Sequence, residues 1–398
     1  MSSVAAARPE TSAAPAKVLR VLWSLNRGGA EVRAVDVVRA LDREQVAVDF
    51  VALCGKPSEL DETVRDLGSQ IHYLPMDRKF VFRFWALLRH ERPTCVHCQL
   101  TLFSGIVMLM AWLAGVPKRM ASYHNMRCLE KKSLIGKLYS GTMKWLVKRF
   151  ATNIVAVSEG TLDACVSDWR SDDRCRVVYQ GFPQQSSTAR EQQAVREELG
   201  LDSSPIIINV GNFRTIKNQI RTLQIFAHMY RDFKAGHLLF AGGTHGYPES
   251  ETNFAEIQKV INELGLESCV HLLGNRQDVS TLMAVSDLML FTSVSEGCAN
   301  VIWEAIAQGT PVLTSELPIV DELSTYMPGV VQCSLSEDNE VWVQKLHELR
   351  LQSKDTTFRQ ELKNQFAAGP LNVTQSSRIY QQLWTGQAPV ETGLRKAA

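Results

Sequence analysis

The sequence predicts an α/β protein of two parallel-sheet domains, and three observations predict it. From Lys17 onward, short apolar or β-branched runs alternate with helical patterns of about 10–15 residues, the rhythm of βαβ units. That rhythm breaks near the midpoint, at the polar, turn-rich stretch 181–193 (GFPQQSSTAREQQ), and then restarts. Each half of the 398-residue chain has the size of one domain.

In the first half, 18–24 (VLRVLWS) reads as a strand that turns at Gly28-Gly29 into an amphipathic helix from Ala30 to Leu41. Val46 to Leu53 is the next strand, then a helix near 59–67, a strand at 71–75 and a helix at 80–90. Further strands fall at 95–98, 119–123, 153–157 and 176–179. Leu100 to Val116 runs seventeen residues without a charge, at the lower edge of a bilayer span. Ser104, Gly105 and Gly115 interrupt it and a strand precedes it, so it reads as a buried helix on the sheet. In the second half, PIIINVG (205–211), LLFAGG (238–243), VHLLG (270–274), LMLFTS (288–293) and PVLTS (311–315) each precede a helical pattern. A last helix, Ser376 to Trp384, follows the Gly-Pro break at 369–370. The expected organisation is a disordered tail 1–16, a domain 17–183, a linker 184–203, a domain 204–368, a helix in 369–386 and a tail 387–398.

Composition excludes several classes. Lys plus Arg at 43 against 42 Asp plus Glu leaves +1, which argues against nucleic-acid binding through bulk positive charge. Arg8, Glu10 and two prolines interrupt the apolar run that a signal peptide would need. The odd, scattered set of nine cysteines reads as reduced thiols in a cytoplasmic protein. Cys95-x-x-Cys98 lacks a second cysteine pair nearby and reads as a short buried strand, not a zinc site.

In open parallel sheets, ligands bind where strands lead into helices, so the chemistry is sought on those turns. The first, Asn26 to Glu31, is not G-x-G-x-x-G, which leaves a dinucleotide cofactor poorly supported. Gly28 and Gly29 still let backbone N–H groups approach a phosphate or sugar. The turn Gly211 to Asn218 sets Arg214 and Lys217 just before a helix, where cations oppose the helix dipole. They make sense with an anion between them; without one they are two solvated surface cations. The third turn, Ser295 to Ala305, carries Glu296 and Glu304. Eight residues apart, both helical, they would stand about 80° apart. Gly297 instead puts Glu296 in a loop, with the helix starting near Asn300 and Glu304 one turn inside it. Both carboxylates then face one ligand, accepting from vicinal hydroxyls while the helix mouth holds phosphate.

On these residues the sequence resembles the retaining glycosyltransferases of family 4, with the GT-B fold of two facing Rossmann-like domains and a cleft between them. The hallmark E-x7-E is matched by Glu296 and Glu304 within SEGCANVIWEA. The resemblance extends to Gly28 through Glu31, Ser122-Tyr123-His124-Asn125, Val157-Ser158-Glu159, 211–218 and the AGG at 241–243. In flavour it is similar to bacterial exopolysaccharide and capsule enzymes. The resemblance implies that Glu304 binds the nucleotide ribose, and that Glu296 with the backbone of Gly297, Cys298, Ala299 and Asn300, beside Val301, holds the donor sugar. It implies that Lys217 and a neighbouring Arg neutralise the diphosphate near Gly211, that His124 contacts the sugar, and that Asn275-Arg276 flanks the base. Taken without the family, His124 is a structural histidine after a strand. Where the family has Arg directly after the glycine, this sequence has Asn212, and Arg214 two places later. The last helix is expected to cross back to the N-terminal domain.

The expected activity is transfer of a hexose-type sugar, with retention, from a nucleoside-diphosphate sugar (UDP foremost) to a glycan or lipid-linked acceptor in polysaccharide biosynthesis. No D-x-D-like pair stands at a strand end, so neither a metal nor another cofactor is expected. Two alternatives share the fold: a degenerate sugar-nucleotide-binding protein and a nucleotide-sugar epimerase. Residues 118–150 carry nine Lys or Arg against Glu130 alone, interleaved with Tyr139, Trp145 and Phe150. They read either as a solvated helix face or as peripheral contact with anionic membrane at the inner face of the cell membrane.

Overall fold

The computed structural model describes residues 15–124, 133–184, 187–244, 249–296, 298–326 and 328–387. The first sheet comprises β1 (Ala16–Leu22), β2 (Val46–Ala52), β3 (Ile71–Tyr73), β4 (Cys95–Cys98), β5 (Lys118–Tyr123), β6 (Asn153–Ala156) and β7 (Cys175–Val177), in spatial order β3-β2-β1-β4-β5-β6-β7. The second comprises β8 (Ile206–Val210), β9 (His237–Ala241), β10 (Val270–Leu272), β11 (Leu288–Phe291), β12 (Val312–Ser315) and β13 (Val330–Cys333), in order β10-β9-β8-β11-β12-β13. All pairings are parallel. Central strands are covered on both faces, which is why CVHC, IIINV and LMLF are buried throughout and read as continuous runs.

Helices cover both faces. On the first sheet, α1 (Gly29–Arg39) and α2 (Asp61–Asp66) pack one side through Val35, Val38 and Val64. The other side is covered by α3 (Phe80–Glu91), α4 (Ser104–Leu113) and α5 (Leu134–Phe150), through Phe84, Met108 and Leu146; α6 (Glu159–Cys165) follows β6. On the second sheet, α7 (Ala189–Glu198), α10 (Val279–Val285), α11 (Asn300–Ala307), α12 (Pro318–Leu323) and α14 (Thr356–Ala368) share a core with Trp303 and Phe366. Opposite them, α8 (Gln219–Phe233), α9 (Ser250–Leu264) and α13 (Asn339–Ser353) pack around Phe226, Ile257 and Trp342.

The final helix α15 (Val373–Thr385) packs on α1, β1 and β5 of the first domain. Its return path runs beside the outgoing chain: Phe182 N–H donates to Leu371 O at 2.7 Å, and Val373 N–H to Phe182 O at 3.1 Å. Gly181 permits this approach, because a Cβ there would lie 2.5 Å from the Val373 Cα. Tyr380 and Trp384 stack on each other, beneath the buried Arg20 guanidinium and tilted against His97.

The buried helix expected within 100–116 is present, and two other expectations need adjustment. The apolar run 100–116 is a 3-10 turn followed by the ten-residue α4, and no helix among the described residues is long and apolar enough to cross a membrane. The segment 184–203, expected as a linker, holds α7, because Thr188 and Glu191 form a reciprocal capping box that starts a helix. Reduced thiols throughout is corrected at Cys165, which is disulfide-bonded; pairing depends on spatial separation, which spacing along the chain does not reveal. Cys95 and Cys98 are buried and free within β4. Asn125, Gly297, 1–14 and 388–398 lie outside the described residues.

Candidate active site

Both sheets have a switch point: β1 and β4 in the first, β8 and β11 in the second, from which the chain leaves in opposite directions. Loops at such points diverge and leave a crevice at the carboxyl edge. Gly28, Gly29, Lys217, Glu296 and Glu304 lie on these loops or on the helices that follow them, while His124 follows β5 and Arg276 follows β10.

In the second domain, the loops after β8, β9 and β10 pack closely because glycines remove the side chains between them. A Cβ on Gly242 would sit 2.1 Å from the Gly211 carbonyl oxygen, and one on Gly243 within 2.6 Å of the Asn275 amide. The loop after β8 is tied to the loop after β11: Val294 N–H donates to Ile216 O at 2.8 Å, and the Ser293 hydroxyl to the same oxygen at 3.0 Å. This brings Lys217 and Glu296 together. The ammonium donates to Glu296 Oε1 at 2.7 Å, and Ser293 Oγ reaches the same oxygen at 2.6 Å. Both side chains are largely covered, so each charge offsets the other's loss of hydration.

Helix α11 begins at Asn300 after Ala299, which holds a left-handed conformation (φ 47°, ψ 46°) uncommon outside glycine. The buried Trp303 pins this turn, its indole N–H donating to Cys298 O at 2.7 Å. Alanine at the cap position offers no acceptor, and no side chain caps the helix. The N–H groups of the first turn therefore point to the cleft without a side-chain partner at the cap. The Asn300 Oδ1 is buried without a partner, and Val301 lies against the domain core. Burial pushes the Cys298 thiol up to about 12, so it stays protonated.

The first domain brings a second helix mouth. Gly28 and Gly29 open α1, also without a side-chain cap, and a Cβ on Gly29 would lie 3.2 Å from the Asn300 amide nitrogen. Two positive helix ends thus converge. From α1, Arg33 Nη2 reaches Glu304 Oε1 at 3.7 Å and Asp36 at 3.2 Å, its guanidinium lying 4.6 Å over the Phe182 ring. Burial raises the Glu304 pKa and Arg33 partly counters it. Nearby, Glu322 of α12 accepts from Tyr179 O–H at 2.8 Å and Glu159 N–H at 2.7 Å, a second contact between the domains.

His124 follows β5 and sits between Gln99 and Gln180, each amide nitrogen 3.0 Å from one ring nitrogen. Burial, reinforced by Arg20, lowers its pKa to about 3, so the ring is neutral. A neutral imidazole has one N–H, so one of the two glutamines presents its carbonyl instead.

Two expected residues stand differently. Arg214 pairs with Glu249 at 3.5 Å instead of joining Lys217 and Glu296. Arg276 is clamped by Glu198 and Asp278 through four N–H bonds of 2.6–3.0 Å, so its polar edge is committed to holding α7 against the loop after β10. Arg33 and Glu322 escaped sequence reasoning, since nothing local marks an ion pair or cap formed across domains. Asp49, His72 and Glu91 could together hold a metal ion, but they lie away from the cleft loops and Lys17 already donates to Glu91.

Comparison with known proteins agrees with this geometry. Residues 27–185 match the family model described as Glycosyltransferase Family 4, and residues 191–325 that described as Glycosyl transferases group 1. The capsular polysaccharide biosynthesis glycosyltransferase CapH of Staphylococcus aureus is 26% identical over 314 residues, 78% of this chain and 84% of that protein. The putative glycosyltransferase EpsF of Bacillus subtilis is 27% identical over 343 residues, 83% and 86% respectively. Among solved structures, Anabaena HepE in complex with UDP superposes with a TM-score of 0.76 at 17% identity, covering 93% of this chain and all of that one. A Rickettsia africae glycosyltransferase gives 0.76 at 14%, covering 94% and 98%.

Proposed function

Since the chain belongs to the family 4 glycosyltransferases and has their GT-B fold, we propose that it is a retaining hexosyltransferase of polysaccharide biosynthesis. On this reading it moves a sugar from a UDP-sugar to a glycan or lipid-linked acceptor, without a metal. The observation that carries the reading is the Lys217–Glu296 pair, held at the second switch point beside the uncapped mouth of α11. It sets a cation for a leaving diphosphate next to a carboxylate for sugar hydroxyls.

The diphosphate lies between the mouths of α1 and α11, with Lys217 on it and Arg214 released from Glu249. Charge that develops on the leaving phosphate is stabilised there by fixed N–H dipoles and the ammonium, a contribution of about 3–4 kcal/mol per well-placed donor. Glu304 accepts from the ribose hydroxyls, and Glu296 from the sugar. Neutral His124 meets the sugar as a hydrogen-bonding group, not as an acid. The bond from the anomeric carbon to the phosphate oxygen breaks and a bond to the acceptor oxygen forms on the same face. The departing phosphate oxygen takes the acceptor's proton, so Glu296 is not a nucleophile. Arg276, its polar edge engaged by Glu198 and Asp278, offers its flat face to the base. UDP-bound HepE supports the choice of base, and CapH's part in capsular polysaccharide biosynthesis supports the acceptor class.

The test is thermal unfolding against nucleoside diphosphates, their sugars and NAD, with chelator present. A ligand at about 100 times its Kd adds roughly 2.7 kcal/mol to stability. A shift with uridine nucleotides alone, lost in Glu304→Ala, supports the reading. No shift, or one with NAD only, overturns it.

A further inference from the structure

The inner strand β1 carries a charge where its neighbours are apolar. Val18, Arg20 and Leu22 alternate onto the face that α1 and α15 cover, and Arg20 is buried there at 2% exposure. Arginine is almost never buried to this extent without a partner of opposite charge. Among the described residues no carboxylate pairs with Arg20; its guanidinium donates from Nη1 to Ala34 O at 3.1 Å. Its Nε is buried without a hydrogen-bond partner. The same holds for Nδ1 of His97, the register neighbour of Arg20 on β4, and for the indole Nε1 of Trp384 on α15. The His97 ring lies 5.5 Å from the Tyr380 ring and 5.8 Å from the Trp384 ring, and the guanidinium carbon lies 5.6 and 5.9 Å from the same two. These side chains therefore gather at one place between sheet and helix.

Their chemistry is one-sided. The guanidinium and indole N–H groups can only donate. His97 Nε2 meets Ser122 Oγ at 2.5 Å, so when the hydroxyl donates to Nε2 the neutral ring donates through Nδ1. The set offers donors and a positive charge, and it lacks an acceptor and a negative charge. Aromatic faces attract the guanidinium, but they do not replace the hydration of a fully buried cation. A water molecule would supply lone pairs without charge, and its own hydrogens would meet further donors. A small anion answers both needs.

We propose that a monovalent inorganic anion, chloride in ordinary salt, binds between Arg20, His97 and Trp384 and ties α15 to the first sheet. Helix α15 carries the chain back from the second domain, so the anion holds that return in place. Its influence reaches the cleft: Gln99, two residues beyond His97, bonds His124, two residues beyond Ser122, at 3.0 Å. Anion binding here is independent of which donor the cleft takes.

The experiment follows the Tm of the full chain at constant ionic strength as sodium chloride replaces sodium isethionate, whose anion is much bulkier. Wild type is expected to gain about 2–4 °C and then saturate, with bromide acting like chloride. Arg20→Met is expected to lose the gain and, with no charge left unpaired, to be no less stable than wild type without halide. Trp384→Phe keeps a ring and removes one N–H, so half-saturation should move to about tenfold higher chloride, a second reading if the first variant misfolds. Crystals grown in bromide should show an anomalous peak between Arg20 and Trp384. A wild-type Tm indifferent to chloride overturns the proposal, as does a gain that persists unchanged in both variants. A water at that place, with no bromide signal, overturns it as well.

Discussion

Arg33 of the first domain and Glu304 of the second meet across the cleft at 3.7 Å, so the carboxylate assigned to the ribose is also a point of contact between domains. Partly exposed pairs of this kind contribute about 0.2–1 kcal/mol. Arg33→Met is therefore expected to leave the fold intact and to weaken donor binding about twofold to tenfold. Arg33 also lowers the Glu304 pKa, so the acid limb of donor affinity should move to higher pH in the variant. Titration of UDP-sugar binding between pH 5 and 8 checks both; an unmoved limb would show that the pair does not form in solution.

Glu304→Gln separates stability from function. A carboxyl whose folded pKa is raised binds its proton more tightly folded than unfolded. Its ionised form therefore destabilises the fold above that pKa, and the cost disappears as pH falls below the unfolded value. The amide variant should have a Tm at pH 7 no lower than wild type, an advantage that shrinks on acidification, and no nucleotide-induced shift. A lower Tm at pH 7 would mean that the carboxylate supports the fold.

Lys217→Met leaves the largely covered Glu296 with only Ser293 on it. Loss of one partner costs about 3–5 kcal/mol for a fully buried pair and less for this part-buried one, and removing both is far milder. Lys217→Met/Glu296→Gln should recover most of the Tm lost by the single variant, yet not its activity. Removing the cation should lower kcat about 100- to 1,000-fold on its own. A double-mutant cycle on Tm and kcat/KM tests the coupling.

Much of this arrangement is legible in the sequence for physical reasons. Strands such as IIINV and LMLF are apolar without interruption because both faces of a central parallel strand are covered. The helix start near Asn300 is readable from Gly297, which breaks the pattern just before it. What sequence cannot give is partnership between distant residues. Arg276 invites assignment to a ligand, but Glu198, 78 residues earlier, occupies it. The same holds for Glu322, which finds the start of α6 across 163 residues. Helix α7 was hidden differently: its polar composition resembles a linker, and only the T-x-x-E capping pattern at Thr188 marks it.

Gly242→Ala tests whether the loops of the second domain must touch. The added methyl would lie 2.1 Å from the Gly211 carbonyl oxygen, which belongs to backbone and cannot swing away. Such overpacking costs about 1–3 kcal/mol. The displaced loop carries Lys217, so kcat should fall together with Tm. Chemical denaturation and initial rates check this, and an unchanged rate would detach the glycine contact from the site.

His124 gives the pH dependence its sign. Its folded pKa, about 3, lies below the ordinary value of 6.5, so the folded state excludes a proton that the unfolded chain accepts. The contribution is complete above pH 6.5 and is lost as pH falls toward 3, at up to about 1.4 kcal/mol per pH unit. The buried His97, whose pKa is lowered by burial and by Arg20 and His124, acts in the same direction. His124→Gln should therefore flatten the fall of Tm between pH 6.5 and 4 relative to wild type, and so should His97→Gln, with the two effects coupled through the charges they share. For the same reason no limb of the rate profile between pH 5 and 8 should belong to His124. His124→Gln should lower kcat while leaving the shape of that profile unchanged; a limb that vanishes with the histidine would mean that the ring is charged in the working enzyme.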